Sequence, residues 1–185
     1  MKRTLPTELF YYGDGLRLWQ EVCWLPDYHQ TRDEISLLDE YGAVIAQYIP
    51  AGCTIVDMGS GDIRKPSVLL MHLDRLKIPV SYYALDLSYE ALSSSMSFLS
   101  HQSYTHITFY GLWGTFEDAR LWLRAIPTPK CILSLGSMFG NDELPLAVAH
   151  MAPWREVLSP TTDLMLVGVD ARGAESPRGA EAHVP

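Results

Sequence analysis

Cysteine is scarce in this chain: three residues in 185, Cys23, Cys53 and Cys131, with no Cys-x-x-Cys pair. An odd number at wide spacing excludes a disulfide framework and a thiolate zinc site, so these side chains read as reduced, buried, small apolar groups. The histidines are scattered too; His101 and His106 do not share a helix face, and no metal is expected. Clustered Lys and Arg are missing, and the formal net charge is -8. A phosphate-backbone partner relies on grouped cations that release counterions, so nucleic acid is excluded as a partner. No apolar run approaches the roughly 20 residues that span a bilayer. The start, Met1-Lys2-Arg3-Thr4-Leu5-Pro6, lacks the apolar segment of a secretion signal. The expectation is a cytoplasmic protein with no membrane partner.

The hydrophobic fraction of 48% is that of an ordinary globular protein, and 185 residues suffice for one core. The stretch that organises the chain is Thr54-Ile55-Val56-Asp57-Met58-Gly59-Ser60-Gly61-Asp62. A run of β-branched and apolar residues reaches an acidic residue and breaks into a turn with two glycines, as when a buried parallel strand hands over to a nucleotide-cradling loop. Downstream, Val80-Ser81-Tyr82-Tyr83-Ala84-Leu85-Asp86 reads as a second strand whose terminal carboxylate can accept hydrogen bonds from both ribose hydroxyls of an adenosine cofactor. A dinucleotide fingerprint would place a third glycine at position 64, where Arg64 stands. That absence favours S-adenosylmethionine over a nicotinamide or flavin dinucleotide.

The segment before the first strand reads as helical, an N-terminal cap over residues 1–50. Leu16, Trp19 and Cys23 share a face up to Pro26. Thr31-Arg32-Asp33-Glu34 has the capping-box pattern and starts a longer helix with Ile35, Leu38, Gly42, Ile45 and Ile49 inward. After the glycine loop, Pro66 fits a first helical turn, with Leu69, Leu73 and Leu76 following at helical spacing. Ser88 is the expected N-cap of the next helix. A third strand is expected at about 106–110, broken by Gly111-Leu112-Trp113-Gly114, a fourth at 130–135 and a fifth at 164–169. Strands alternating with helices predict an α/β fold, a Rossmann-like doubly wound, mostly parallel sheet over residues 51–170. Beyond Asp170 the Gly/Ala/Pro/Arg/Glu text over 171–185 has no periodicity and reads as a disordered tail.

Four ordered motifs carry a resemblance. Leu25-Pro26-Asp27-Tyr28-His29-Gln30-Thr31-Arg32-Asp33-Glu34, Asp57-Met58-Gly59-Ser60-Gly61 with Arg64-Lys65 after it, Ala84-Leu85-Asp86-Leu87-Ser88, and Leu135-Gly136-Ser137-Met138-Phe139-Gly140-Asn141 resemble the histidine-specific S-adenosylmethionine-dependent methyltransferase domain. That family includes enzymes that methylate the α-amino group of histidine and fungal relatives that N-methylate prenylated tryptophan. The resemblance implies a class I methyltransferase fold with about five of seven strands present. It implies S-adenosyl-L-methionine as cofactor, with Gly59, Ser60 and Gly61 around its methionine part, Lys65 near its carboxylate and Asp86 on the ribose. Thr115 and Phe116 fall at the family's adenine contact, and Asp57, Gly136 and Ser137 belong to the same cofactor-binding set. Tyr11, Tyr28 and Asn141 match positions that bind the amino-acid end of a small-molecule amine substrate. Physically, Asn141 can accept an amine N–H and the tyrosines can add phenolic oxygens, while no dedicated strong base is visible. The alternative expectation is a non-catalytic, cofactor-binding remnant or regulatory partner; a nicotinamide oxidoreductase is disfavoured by Arg64.

Overall fold

The computed structural model describes residues 14–141 and 143–170. Five strands form one sheet: β1 (Cys53–Met58), β2 (Val80–Asp86), β3 (Ile107–Trp113), β4 (Lys130–Ser134) and β5 (Leu164–Val167). Their order is β3-β2-β1-β4-β5 and every pairing is parallel. Both faces of a parallel sheet are covered by helices, so its central strand carries apolar residues without a polar side. β1 is buried along its whole length.

Alternation divides those side chains between two cores. Cys53 and Ile55 face the same way as Tyr82, Ala84, Cys131 and Leu133. Against them lie α2 (His29–Ala46) through Leu38 and Ala46, α3 (Arg64–Arg75) through Leu69, Leu70 and Leu73, and α4 (Tyr89–Ser100) through Leu92 and Leu99. Val56 and Met58 face the other way with Leu85 and Ile132, covered by Ala119 and Leu123 of α5 (Phe116–Leu123) and by Trp154. Each fully buried Leu contributes about 1.5–3 kcal/mol. Among the described residues the remaining helices are α1 (Asp14–Val22) and α6 (Leu144–Met151), with 3-10 turns at Met138–Asn141 and Ala152–Glu156. The three cysteines are free, buried thiols. Among the described residues no helix is long and apolar enough to cross a membrane.

Ser88 caps α4, accepting from the Ala91 amide, and Pro66 lies in the first turn of α3. Other expectations need correcting. α2 starts at His29 with no side-chain cap, so Thr31 lies buried inside its first turn and Glu34 is released for another task. The capping box instead opens α5, where Thr115 and Asp118 bond reciprocally. β3 runs through Gly111, which pairs with Ala84, to Trp113, because a seven-residue ladder with β2 outweighs the glycine's weak strand preference. β4 and β5 end at Ser134 and Val167, one and two residues short of expectation, where the chain turns out of the sheet.

From β1 the chain adds β2 and β3 on one side, then returns to lay β4 and β5 on the other. The connections leaving β1 and β4 diverge, and the crevice beyond their carboxyl ends is where this architecture binds ligands.

Candidate cofactor and substrate site

The loop leaving β1 is shaped by Gly59, at φ +62, a conformation closed to most side chains. A Cβ on Gly59 would stand 3.6 Å from Met138 Sδ, so this loop lies against the loop leaving β4. The Ser60 amide donates to Leu85 O at 3.1 Å, tying the turn to the end of β2. Ser60 Oγ is buried with no hydrogen-bond partner among the described residues. Asp86, at the tip of β2, accepts from the Ser88 amide at 2.9 Å through Oδ1. Its Oδ2 lies 3.9 Å from where a Cβ on Gly61 would be, so carboxylate and glycine loop face each other. Burial raises the Asp86 carboxyl above its ordinary value, opposed by the Ser88 and Leu87 amides.

Beneath this loop lies a charged cluster. Asp57 is buried and accepts from the Tyr82 hydroxyl at 2.7 Å. Burial lifts its carboxyl to about 7; Tyr82 and Lys65 oppose the rise, and Glu34 and Asp86 add to it. Burial, with Asp57 adding, also pushes the Tyr82 hydroxyl well above its ordinary value. Lys65, in the first turn of α3, places Nζ 3.3 Å from Glu34 Oε2, and both side chains are mostly buried. The Glu34 carboxylate also receives the Gly136 amide, at 3.0 Å to Oε1 and 2.8 Å to Oε2. Gly136 sits at φ +76, which favours glycine, and a Cβ there would approach Lys65 Nζ to 2.6 Å, so a side chain would also displace the lysine tip.

A second network lies beside the first. Ser137, itself at φ 57, accepts the Asp170 amide through Oγ at 2.7 Å. The Asp170 carboxylate meets His29 Nε2 at 2.9 Å and Gln30 Nε2 at 3.4 Å. The Tyr28 hydroxyl donates to Gln30 Oε1 at 2.6 Å, and its ring packs edge-on against Trp19 at 5.5 Å.

The structure therefore gathers Asp57, Gly59, Ser60, Gly61, Lys65, Asp86, Gly136, Ser137 and Tyr28 at one edge of the sheet. Thr115 stands just past β3 with its hydroxyl engaged in the α5 cap, accepting from the Asp118 amide at 3.1 Å. Phe116 is exposed at the start of α5. Asn141 closes the 3-10 turn after β4, but its side chain, like Tyr11, lies outside the described residues. Arg64, where a dinucleotide site would have glycine, forks onto Asp62 at 2.8 and 2.6 Å and stacks 3.8 Å over the Trp24 ring. It braces the loop from α1's side.

The model of a histidine-specific, S-adenosylmethionine-dependent methyltransferase matches residues 1–177. The chain belongs to that family. Among its relatives, ergothioneine biosynthesis protein 1 of Neurospora crassa is 42% identical over 172 residues, which are 91% of this chain and 19% of that protein. The 4-dimethylallyltryptophan N-methyltransferase easF of Claviceps purpurea is 36% identical over 153 residues, 80% of this chain and 44% of that enzyme. The easF of Epichloe festucae var. lolii is 34% identical over 154 residues, 81% and 45% respectively. The chain thus spans from a fifth to about half the length of these relatives. A crystal structure of a candidate methyltransferase from Thermobifida fusca superposes with a TM-score of 0.54 at 16% identity, covering 92% of this chain and 64% of that one, which supports the Rossmann-like fold.

Sequence reasoning missed Glu34, His29, Gln30 and Asp170 as members of the site. The Thr115-Phe116-Glu117-Asp118 spacing did carry the signal of the true capping box. Nothing local announces a contact between His29 and Asp170, which are 141 residues apart.

Proposed function

We propose that this chain binds S-adenosyl-L-methionine at the β1–β4 crevice and serves N-methylation of the α-amino group of an amino acid or derivative, of the histidine or prenylated-tryptophan type. The observation that carries the reading is the opposition of Asp86 Oδ2 and the Gly59-Ser60-Gly61 turn across the carboxyl ends of β1 and β2. These residues fit an adenosyl amino-acid cofactor. Asp86 offers a carboxylate oxygen for ribose hydroxyls, Ser60 a buried hydroxyl still lacking a partner, and the two glycines an approach without side chains. Lys65 offers a cation for the cofactor's carboxylate, with Glu34 fixing its position.

When bound, the sulfonium supplies an electrophilic methyl group, and the hard chemistry is the cofactor's. The chain's own residues supply position. Bringing an amine nitrogen to a near-attack geometry is worth about 7–11 kcal/mol. Tyr28, tied through Gln30 to Asp170, holds a phenolic oxygen at the rim, and Asn141 stands on the turn after β4. The Glu34 carboxylate, accepting the Gly136 amide, fixes that turn against α2, and the Ser60 amide on Leu85 O fixes the loop after β1.

The test is methyl transfer from isotopically labelled S-adenosylmethionine to histidine, tryptophan and 4-dimethylallyltryptophan, read by mass spectrometry. Transfer to an α-amino nitrogen is expected. Cofactor binding without transfer to any of them would favour a cofactor-binding unit that does not itself catalyse.

A further inference from the structure

We infer that His29 takes the proton from the substrate amine, and that Asp170 holds it in the tautomer that can do so. This rests on the N-methyltransferase reading above. An α-ammonium group has no lone pair, so a proton must leave before nitrogen can attack a methyl group. The other carboxylates at this edge have other tasks: Asp57 is buried and bound to Tyr82, Glu34 holds the Gly136 amide and Lys65, and Asp86 is the group assigned to the ribose.

His29 is placed differently. Its Nε2 meets Asp170 Oδ2 at 2.9 Å, and a carboxylate can only accept, so Nε2 carries a proton, and in the neutral imidazole Nδ1 then keeps its lone pair. Nδ1 has no hydrogen-bond partner among the described residues, and the side chain is 38% exposed. The pair is linked to Tyr28, the residue assigned above to the substrate amine. Asp170 is fixed by its own amide on Ser137, Ser137 precedes the Met138 that lies against Gly59, and Gln30 links Asp170 to the Tyr28 hydroxyl. This is the logic of a base oriented by a half-buried acid, here built from α2 and the segment after β5. The charged groups of the elements packed around it are Asp170 itself, Arg32 and Asp33 one turn along α2, and the Lys65–Glu34 pair across Gly136.

The atoms balance. One ammonium N–H breaks and its proton passes to His29 Nδ1. The freed pair forms the N–CH3 bond, the methyl–sulfur electrons remaining with the departing sulfur. The imidazolium then returns its proton to water from its exposed side.

The test compares the unaltered chain with His29→Gln and Asp170→Asn, reading methyl transfer to histidine and 4-dimethylallyltryptophan against pH beside titration with S-adenosylhomocysteine. For His29→Gln, turnover near neutrality falls about a hundredfold or more, cofactor affinity stays within about twofold, and the defect shrinks as pH rises and the amine deprotonates unaided. Asp170→Asn shifts in the same direction, because an amide can donate to Nε2 and reverse the tautomer. Nitrogen-15 NMR of the unaltered chain, which needs no variant to fold, shows His29 protonated at Nε2. An unchanged pH profile in His29→Gln, an equal loss at every pH, or a proton on Nδ1 overturns the inference. An unaltered chain that binds S-adenosylhomocysteine yet transfers nothing overturns it while leaving the cofactor site standing. One that neither binds nor transfers overturns the reading beneath it as well.

Discussion

Two lysine–carboxylate pairs sit at opposite edges of the sheet and do different work. At the amino edge, Lys130 Nζ lies 3.5 Å from Asp163 Oδ2, with the Asp163 side chain 1% exposed. Asp163 also accepts the amides of Lys130 at 3.0 Å and Ser159 at 2.9 Å and the Thr162 hydroxyl at 3.0 Å. Burial pushes its carboxyl up, but the Ser159 and Lys130 amides, Thr162 and the Lys130 ammonium outweigh that and hold it below its ordinary value. At the carboxyl edge, Lys65 and Glu34 are as close, at 3.3 Å, yet their neighbours are a glycine amide and the buried acid Asp57, whose carboxyl is raised to about 7. The first pair is saturated by the backbone turn it closes. The second joins α2, α3 and the β4 loop around a carboxyl that resists ionisation, below a glycine loop whose Ser60 hydroxyl has no partner among the described residues. A saturated ion pair stabilises, whereas one left with unmet polar neighbours marks a place for a ligand.

The comparison breaks most visibly at the amino edge. Asp163→Ala leaves the largely buried Lys130 without its carboxylate and should cost about 3 kcal/mol of stability by denaturant titration, with S-adenosylhomocysteine affinity of the folded chain unchanged. Because the folded carboxyl of Asp163 is depressed, its contribution is present above about pH 4 and is lost as acid takes the pH below that value, an acid sensitivity the variant lacks. Gly136→Ala comes next. It forces an L-residue into a positive φ against Lys65 Nζ, at a cost of about 2 kcal/mol, and unlike Asp163→Ala it also weakens S-adenosylhomocysteine binding.

Asp57 gives the opposite pH signature to Asp163. Its folded carboxyl is raised, so the stability its neutral form contributes is full below about pH 4 and is lost as pH rises through about 7. Asp57→Asn cannot ionise; it should exceed the unaltered chain in stability at about pH 8 by about 1–2 kcal/mol and approach it at about pH 5. The smallest effect belongs to Thr115→Ala, which removes the α5 cap at about 1 kcal/mol. If Thr115 acts through the cap alone, S-adenosylhomocysteine affinity stays as it was; a loss there would reveal contact with the cofactor.

These contrasts follow how far each feature was legible in the residues. The β1 run, the Gly59–Gly61 turn and Asp86 at the tip of β2 announce themselves because strand burial and backbone permissiveness are local properties. So does Ser88, whose cap needs only the next three residues. Glu34 was misread because Thr-x-x-Glu is a local pattern, while its partners Lys65 and Gly136 reach it only through the packing of α2 and the loop after β4 over the sheet edge. β3 runs past Gly111 for the converse reason: a lone glycine looks like a breaker, and only the ladder with β2 carries the strand through it. His29 and Asp170 meet only because α2 and the end of β5 converge on Ser137.

Calorimetric titration of the full chain with S-adenosylhomocysteine, with Asp86→Asn in parallel, addresses the cofactor site most directly. A single one-to-one site is expected, weakened about tenfold or more by Asp86→Asn with the melting temperature of the unliganded chain little changed. A chain that melts cooperatively but gives no binding, or binds equally well with Asn at position 86, would contradict the placement of the cofactor at this edge.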